Sequence, residues 1–62
     1  MLTRIENLSE HDRILEDELN RCDDAYRCWR IAEEALDERL KMEANKKCIR
    51  LYRRDEYSAG LL

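Results

Sequence analysis

The sequence predicts an all-α protein, either one long amphipathic helix or a helical hairpin, packed antiparallel as a coiled-coil or helix-bundle oligomer. The first observation is an apolar series at alternating steps of three and four residues, which is typical of a helix that faces another helix. The second is the absence of proline, together with a single glycine, Gly60. The third is that no uninterrupted apolar run exceeds two residues, which leaves no candidate for a buried strand.

The apolar series extends from residue 5 to residue 40, and we call it the seam. Its members are Ile5, Leu8, Leu15, Leu19, Cys22, Tyr26, Trp29, Leu36 and Leu40. Asp12 and Glu33 occupy the two gaps in the series. A polar group in such a seam costs stability and tends to set the register, so we expect Asp12 to need a cationic partner or a solvent-exposed helix end.

Two segments near the N terminus match a helix N-cap, in which a hydroxyl is followed three residues later by a carboxylate. They are residues 3–6, which begin with Thr3, and residues 9–12, which begin with Ser9. Because Ile5 and Leu8 are already in register with the later seam residues, we expect the helix to begin at the earlier segment.

Charge is distributed unevenly along the chain. Residues 10–24 carry seven acidic side chains against two arginines, which is typical of a solvated helix face, and residues 41–54 carry six basic side chains against one glutamate. A basic helix C terminus suits the helix dipole. The basic segment can also meet the acidic half of a neighbouring helix, which favours antiparallel packing within a hairpin or between two chains.

The apolar face widens between residues 25 and 36, where alanines and Cys28 flank the seam. A broad stripe suits a helix bundle or a docking surface better than a narrow two-stranded seam. Tyr26 and Trp29 are the expected anchors, because buried aromatic side chains contribute disproportionately to interface energy. The predicted protein-binding residues are Tyr26, Trp29, Ala32, Leu36 and Leu40.

Two positions are candidates for a break in the helix. One is residues 20–24, where Asp23 or Asp24 can cap a new helix, and the other is Asn45, near which the strict heptad pattern is lost. Two observations favour a continuous helix at both positions. The region lacks glycine and proline, and several pairs of opposite charge lie four residues apart, such as Asp37 and Lys41. One long helix and a hairpin are therefore both retained.

The length of 62 residues predicts a single helical domain, residues 1–62, with a frayed tail at residues 58–62. A chain of this size buries too little surface to be stable easily as a monomer, so we expect a homodimer or a higher oligomer, or a protein partner. No apolar run suggests a membrane span or a secretory signal, which indicates a soluble, cytoplasmic protein.

The three cysteines and the single histidine do not form a metal-binding motif, so we expect no metal and no cofactor. Cys22 and Cys28 are six residues apart, so on one continuous helix they point in different directions and cannot pair. The sequence also has no phosphate-binding loop and no nucleophile elbow, and we therefore expect the protein not to be an enzyme.

These features favour a small regulator or inhibitor that binds a larger protein through its apolar helix face. The alternatives are a purely structural coiled-coil element and a nucleic-acid-binding regulator. The latter would use the basic residues Lys46, Lys47, Arg50, Arg53 and Arg54. In length and helical class the chain is similar to the Rop family of plasmid RNA-binding regulators, whose hairpins dimerise into a four-helix bundle. That resemblance assigns no site residue here.

Overall fold

A computed structural model describes the backbone of residues 4–60 and the side chains of residues 4–54. Within this part of the chain there are three helices and no strand: α1 (Glu10–Arg21), α2 (Ala25–Glu34) and α3 (Glu38–Gly60). The all-α class is therefore confirmed. The single long helix and the two-helix hairpin are both wrong, because three helices pack together within one chain.

Helix α1 begins later than we expected. Ser9 is its N-cap, and the Ser9 hydroxyl oxygen accepts a hydrogen bond from the Asp12 backbone N–H at 3.3 Å. Thr3 lies outside the described residues, but residues 4–9 are not helical, so the predicted early start is wrong. Asn7 has a φ of 63°, in the left-handed region that asparagine tolerates and that a continuous right-handed helix excludes.

The first connection, residues 22–24, confirms one of the two predicted breaks. Asp24 is the N-cap of α2, and its carboxylate accepts a hydrogen bond from the Tyr26 backbone N–H at 3.0 Å. The second predicted break is wrong, because α3 continues through Asn45 without interruption. The capping aspartate is thus a stronger signal here than the lone asparagine.

The second connection, residues 35–37, was not predicted. Asp37 caps α3: its carboxylate accepts from the Arg39 N–H at 2.8 Å, and its carbonyl oxygen accepts from the Lys41 N–H at 3.0 Å. The Asp12 carboxylate of α1 accepts from the backbone N–H of Leu36 at 3.1 Å and of Asp37 at 2.7 Å. A side chain distant in the sequence therefore holds this turn.

Three contacts along α3 establish the directions of the helices. Asp12 of α1 lies at the start of α3, the Lys47 ammonium donates a hydrogen bond to the Leu19 carbonyl oxygen, and Arg54 pairs with Asp23 at 2.9 Å. Helix α1 therefore points in the same direction as α3. Helix α2 points in the opposite direction, from the level of Arg54 to the level of the 35–37 turn.

The core lies where these helices meet. Its members are Ile5, Leu15, Leu19, Cys22, Cys28, Ile31, Ala32, Ala35, Leu40, Ala44 and Leu51. Six seam residues are buried or partly buried, but Tyr26, Trp29 and Leu36 are exposed, so the seam is not one continuous face. The 12.2 Å radius of gyration exceeds the roughly 10.6 Å of a compact domain this long, because α3 is much longer than its neighbours.

The predicted fraying at residues 58–62 stays a prediction. The backbone of α3 extends to Gly60, and residues 61 and 62 lie outside the described part of the chain.

Among the described residues, none of the helices combines the length and apolar character needed to cross a membrane. The oligomeric state and any antiparallel packing between chains also stay predictions.

Candidate functional site

Many of the large apolar side chains in the described part of the chain lie outside the core and are exposed to solvent. Six large aliphatic side chains are buried in this part of the chain, whereas seven large apolar side chains are exposed. The exposed set is Ile14, Tyr26, Trp29, Leu36, Met42, Ile49 and Tyr52. Every tyrosine and tryptophan whose side chain is described belongs to that exposed set, so the core contains none of them.

Tyr26 and Trp29 form an aromatic pair on α2. The buried face of α2 carries Cys28, Ile31 and Ala32, and the two aromatic residues lie outside that face. Their ring centroids are 5.9 Å apart, with an angle of 32° between the ring planes, which is within the range of favourable aromatic contacts. Tyr26 remains 63% exposed and Trp29 47% exposed. The pair is thus a preformed apolar surface.

The other predicted protein-binding residues do not share this surface. Ala32 and Leu40 are buried in the core of the chain, where they support α2 and α3. Leu36 is 74% exposed, but it lies in the connection between the two helices. Of the five predicted residues, three remain accessible to a partner, and their role in binding stays a prediction.

A second apolar surface, which the sequence analysis missed, lies on α3. Met42, Ile49 and Tyr52 are all exposed, and Asn45 lies between them with the same helical spacing. Steps of three, four and three place these four residues on one face, opposite the buried Leu40 and its core neighbours. We call this face the α3 stripe. Its spacing was visible in the sequence, but the buried series on the same helix obscured it.

The five predicted nucleic-acid-binding residues have different surroundings. Lys47 donates a hydrogen bond to the Leu19 carbonyl oxygen, and Arg54 pairs with Asp23, so both hold α3 against the α1–α2 region. Lys46 is exposed and lies 3.8 Å from Glu43.

Lys46, Arg50 and Arg53 are exposed and follow one another at steps of four and three residues, which places them on one side of α3. We call these three the basic ridge.

Two carboxylates are buried in the core, Asp12 and Glu16. Burial by itself raises the pKa of Asp12, but the hydrogen bonds to His11, Leu36 and Asp37 outweigh it and hold the pKa below its usual value. Its partners are thus mainly backbone N–H groups at a helix start, together with His11 at 2.8 Å, and the predicted solvent-exposed end is wrong.

Glu16 accepts a hydrogen bond from the Ile5 N–H at 2.7 Å through Oε2. Its Oε1 has no hydrogen-bond partner among the described residues, although Arg13 lies 3.6 Å away. This carboxylate fixes the segment that precedes α1 against the bundle.

Cys22 and Cys28 correct a prediction. Their Sγ atoms are 3.1 Å apart, because the helix break at residues 22–24 brings together two side chains that a continuous helix would separate. Burial, and next the hydrogen bond with Cys22, raise the pKa of the Cys28 thiol to about 12. Among the described residues, no group of three histidine, cysteine or acidic side chains is placed to hold a metal ion.

A cleft of about 500 Å³ lies between α1 and α2. Its lining residues are Glu18, Arg21, Cys22, Arg27, Arg30, Ile31 and Glu34. Charged side chains of both signs therefore line this cleft together with Cys22 and Ile31. No protein-family model, curated protein or solved structure matches this chain.

Proposed function

We propose that the protein is a small, non-enzymatic protein-interaction module that regulates or inhibits a larger protein by binding it through the aromatic pair. One observation supports this most directly: Tyr26 and Trp29 stay 63% and 47% exposed after the three helices have formed their core. Large aromatic side chains that are preformed on a helix lose little conformational entropy on binding, and they are typical interface anchors.

The mixed charges around the pair favour a protein partner. On or beside α2, Asp23 and Asp24 precede Arg27 and Arg30, and Glu33 follows them. A phosphate backbone would be repelled by three carboxylates close to the anchor, whereas a protein surface can present both signs. The partner is expected to offer an apolar pocket for Trp29 with a polar rim.

The test compares partner retention by Tyr26→Ala/Trp29→Ala with that by Tyr52→Ala, which removes an exposed aromatic side chain on the other surface. The double change should weaken binding by roughly 30- to 1,000-fold, as truncation of hot-spot residues does. Thermal melting by circular dichroism is measured beside binding, with Leu40→Ala as the reference for a damaged core. The double variant should melt closer to the wild type than Leu40→Ala does.

Trp29 also provides a direct readout, since it is the single tryptophan of the chain. Binding through the pair should shift its emission to shorter wavelength and protect it from acrylamide quenching. Partner binding that leaves Trp29 emission and quenching unchanged would contradict the proposal.

Nucleic-acid binding, as in a Rop-like regulator, is the second candidate function. The observation that favours it is the basic ridge, in which Lys46, Arg50 and Arg53 share one side of α3 and are exposed. The formal net charge of −3 and the intramolecular roles of Lys47 and Arg54 oppose it. If the protein acts by binding nucleic acid, replacing the three ridge residues with alanine should abolish its activity. If it acts by binding a protein through the aromatic pair, the same replacement should leave its activity intact.

A further inference from the structure

We infer that Cys22 and Cys28 are a redox-active pair that forms a reversible disulfide within the chain, with a low-molecular-weight disulfide such as oxidised glutathione as the oxidant. This inference goes beyond the proposed docking function and does not depend on it. The observation that carries it is the 3.1 Å separation of the two sulfur atoms across the α1–α2 connection. A disulfide bond is about 2.05 Å long, so the sulfurs need to approach by only about 1 Å.

The local backbone explains this proximity. Cys22 is the C-cap of α1 and has an extended conformation, with φ −70° and ψ 135°, so its side chain leaves the direction of the α1 helix. Cys28 lies one turn into α2, where its backbone N–H bonds to the Asp24 carbonyl oxygen at 3.1 Å. The two cysteines therefore lie on either side of a short connection whose far end is held by a helix cap.

The surroundings give the two sulfurs different roles. Cys22 lines the cleft between α1 and α2, beside Arg21 and Arg27, whereas Cys28 has no exposed surface. The Cys22 thiol donates a hydrogen bond to the Asp24 carbonyl oxygen at 3.0 Å, and the Asp24 N–H donates to the same sulfur at 3.4 Å, so the Cys22 sulfur is held in place at the cleft. Three arginines and two glutamates line this cleft, so its excess of positive charge suits an anionic disulfide such as oxidised glutathione. Cys22 is therefore the attacking thiol, and Cys28 resolves the mixed disulfide.

The exchange proceeds in two steps. Cys22 gives its proton to water, and its sulfur attacks one sulfur of the small disulfide, whose S–S bond breaks; the first small thiolate leaves and takes a proton from water. Cys28 then gives its proton to water and attacks the Cys22 sulfur; the mixed disulfide bond breaks, and the second small thiolate leaves and also takes a proton from water. The two protein thiols lose two electrons in total, and one small disulfide is reduced to two small thiols.

Tryptic mapping tests the pairing directly, because trypsin separates all three cysteines. Cleavage after Arg21, Arg27, Arg30, Lys47 and Arg50 leaves Cys22 in peptide 22–27, Cys28 in peptide 28–30 and Cys48 in peptide 48–50. The full chain is equilibrated in glutathione buffers of increasing oxidised fraction, quenched with acid, alkylated with N-ethylmaleimide and digested. We expect peptides 22–27 and 28–30 to become linked, while peptide 48–50 carries the alkyl group.

Cys48→Ser is the matched control, because Cys48 is half-buried beside the same core and competes as a third thiol. It should form the same linked peptides as the wild type. Closing the loop of residues 22–28 should also raise the Tm of the oxidised protein by roughly 10 °C, and dithiothreitol should reverse the shift.

Three results would overturn the inference. They are free Cys22 and Cys28 at every glutathione ratio, glutathione adducts that never resolve, and a link through Cys48. Because the peptide map is made on the wild-type chain, the result does not depend on the folding of any variant.

Discussion

Asp12 connects the start of α1 with the start of α3. Its backbone N–H completes the Ser9 cap of α1, and its carboxylate accepts hydrogen bonds from the Leu36 and Asp37 N–H groups at the start of α3. The N–H groups at the start of a helix have no acceptor within the helix, and a negative charge beside them also suits the positive end of the α3 dipole. One side chain therefore stabilises the ends of two helices.

We predict that Asp12→Ala lowers the Tm by roughly 5 °C or more, because it leaves two backbone N–H groups at a helix start without their acceptor. Asp12→Asn keeps one acceptor oxygen and should lie between the alanine variant and the wild type. Asp17→Ala, which removes an exposed carboxylate from the same helix, should change the Tm little. The Tm of each variant is measured by thermal melting followed by circular dichroism. Equal decreases in Tm for Asp12→Ala and Asp17→Ala would contradict the role of Asp12 as the acceptor at the start of α3.

At the scale of the element, α3 holds α1 and the α1–α2 connection through two cationic side chains. Lys47 donates to the Leu19 carbonyl oxygen in the last turn of α1, and Arg54 pairs with Asp23 in the α1–α2 connection. A cation near the carbonyl oxygens at a helix C terminus is favoured by the helix dipole. The acidic and basic parts of the sequence thus meet within one chain.

Neighbouring lysines provide a matched pair for testing this role. Lys47→Ala should destabilise the fold by about 1 kcal/mol, because it removes a charged hydrogen bond at the end of α1. Lys46→Ala removes an exposed lysine that pairs only at 3.8 Å with Glu43, and it should cost less than about 0.5 kcal/mol. Urea unfolding of both variants provides the comparison. A larger effect for Lys46→Ala would show that Lys47 does not hold α1 in place.

At the scale of the whole molecule, the exposed large apolar side chains are at least as numerous as the buried ones among the described residues. The described part buries six large aliphatic side chains and exposes seven large apolar ones, on all three helices and the second connection. A core of this size gives a 62-residue chain limited stability by itself. Covering some of the exposed residues would stabilise the fold further.

We therefore predict concentration-dependent self-association, with the α3 stripe as its contact surface. Sedimentation of the wild-type 7.5 kDa chain should reveal a species larger than the monomer, and Ile49→Lys should shift the equilibrium toward the monomer. Ile14→Lys on the outer side of α1 is the control, since it adds the same charge at another exposed isoleucine. A stable monomer of the wild-type chain at high concentration would refute this prediction.

Local chemistry in the sequence was sufficient for several features of the fold. Period and composition predicted helices without strands, because side chains spaced three and four apart lie on one helix face whatever their partners are. The break at residues 22–24 was also predicted, since Asp24 caps α2 through an N–H only two residues away. The exposure of Lys46, Arg50 and Arg53 follows from the same rule for charged side chains on a helix.

Tertiary structure decided the rest. The turn at residues 35–37 depends on Asp12, which lies 24 and 25 residues from the N–H groups it accepts, so no local pattern could indicate it. Each connection also changes the angular position of the helix that follows. Tyr26 and Trp29, which continue the seam in sequence, therefore turn outward, while Cys28 turns inward toward Cys22. The sequence by itself determined the helical class and the Asp24 cap, because both depend on residues close together in the chain. The second turn and the relative rotation of the helices, which only packing can set, determined which residues are available for binding.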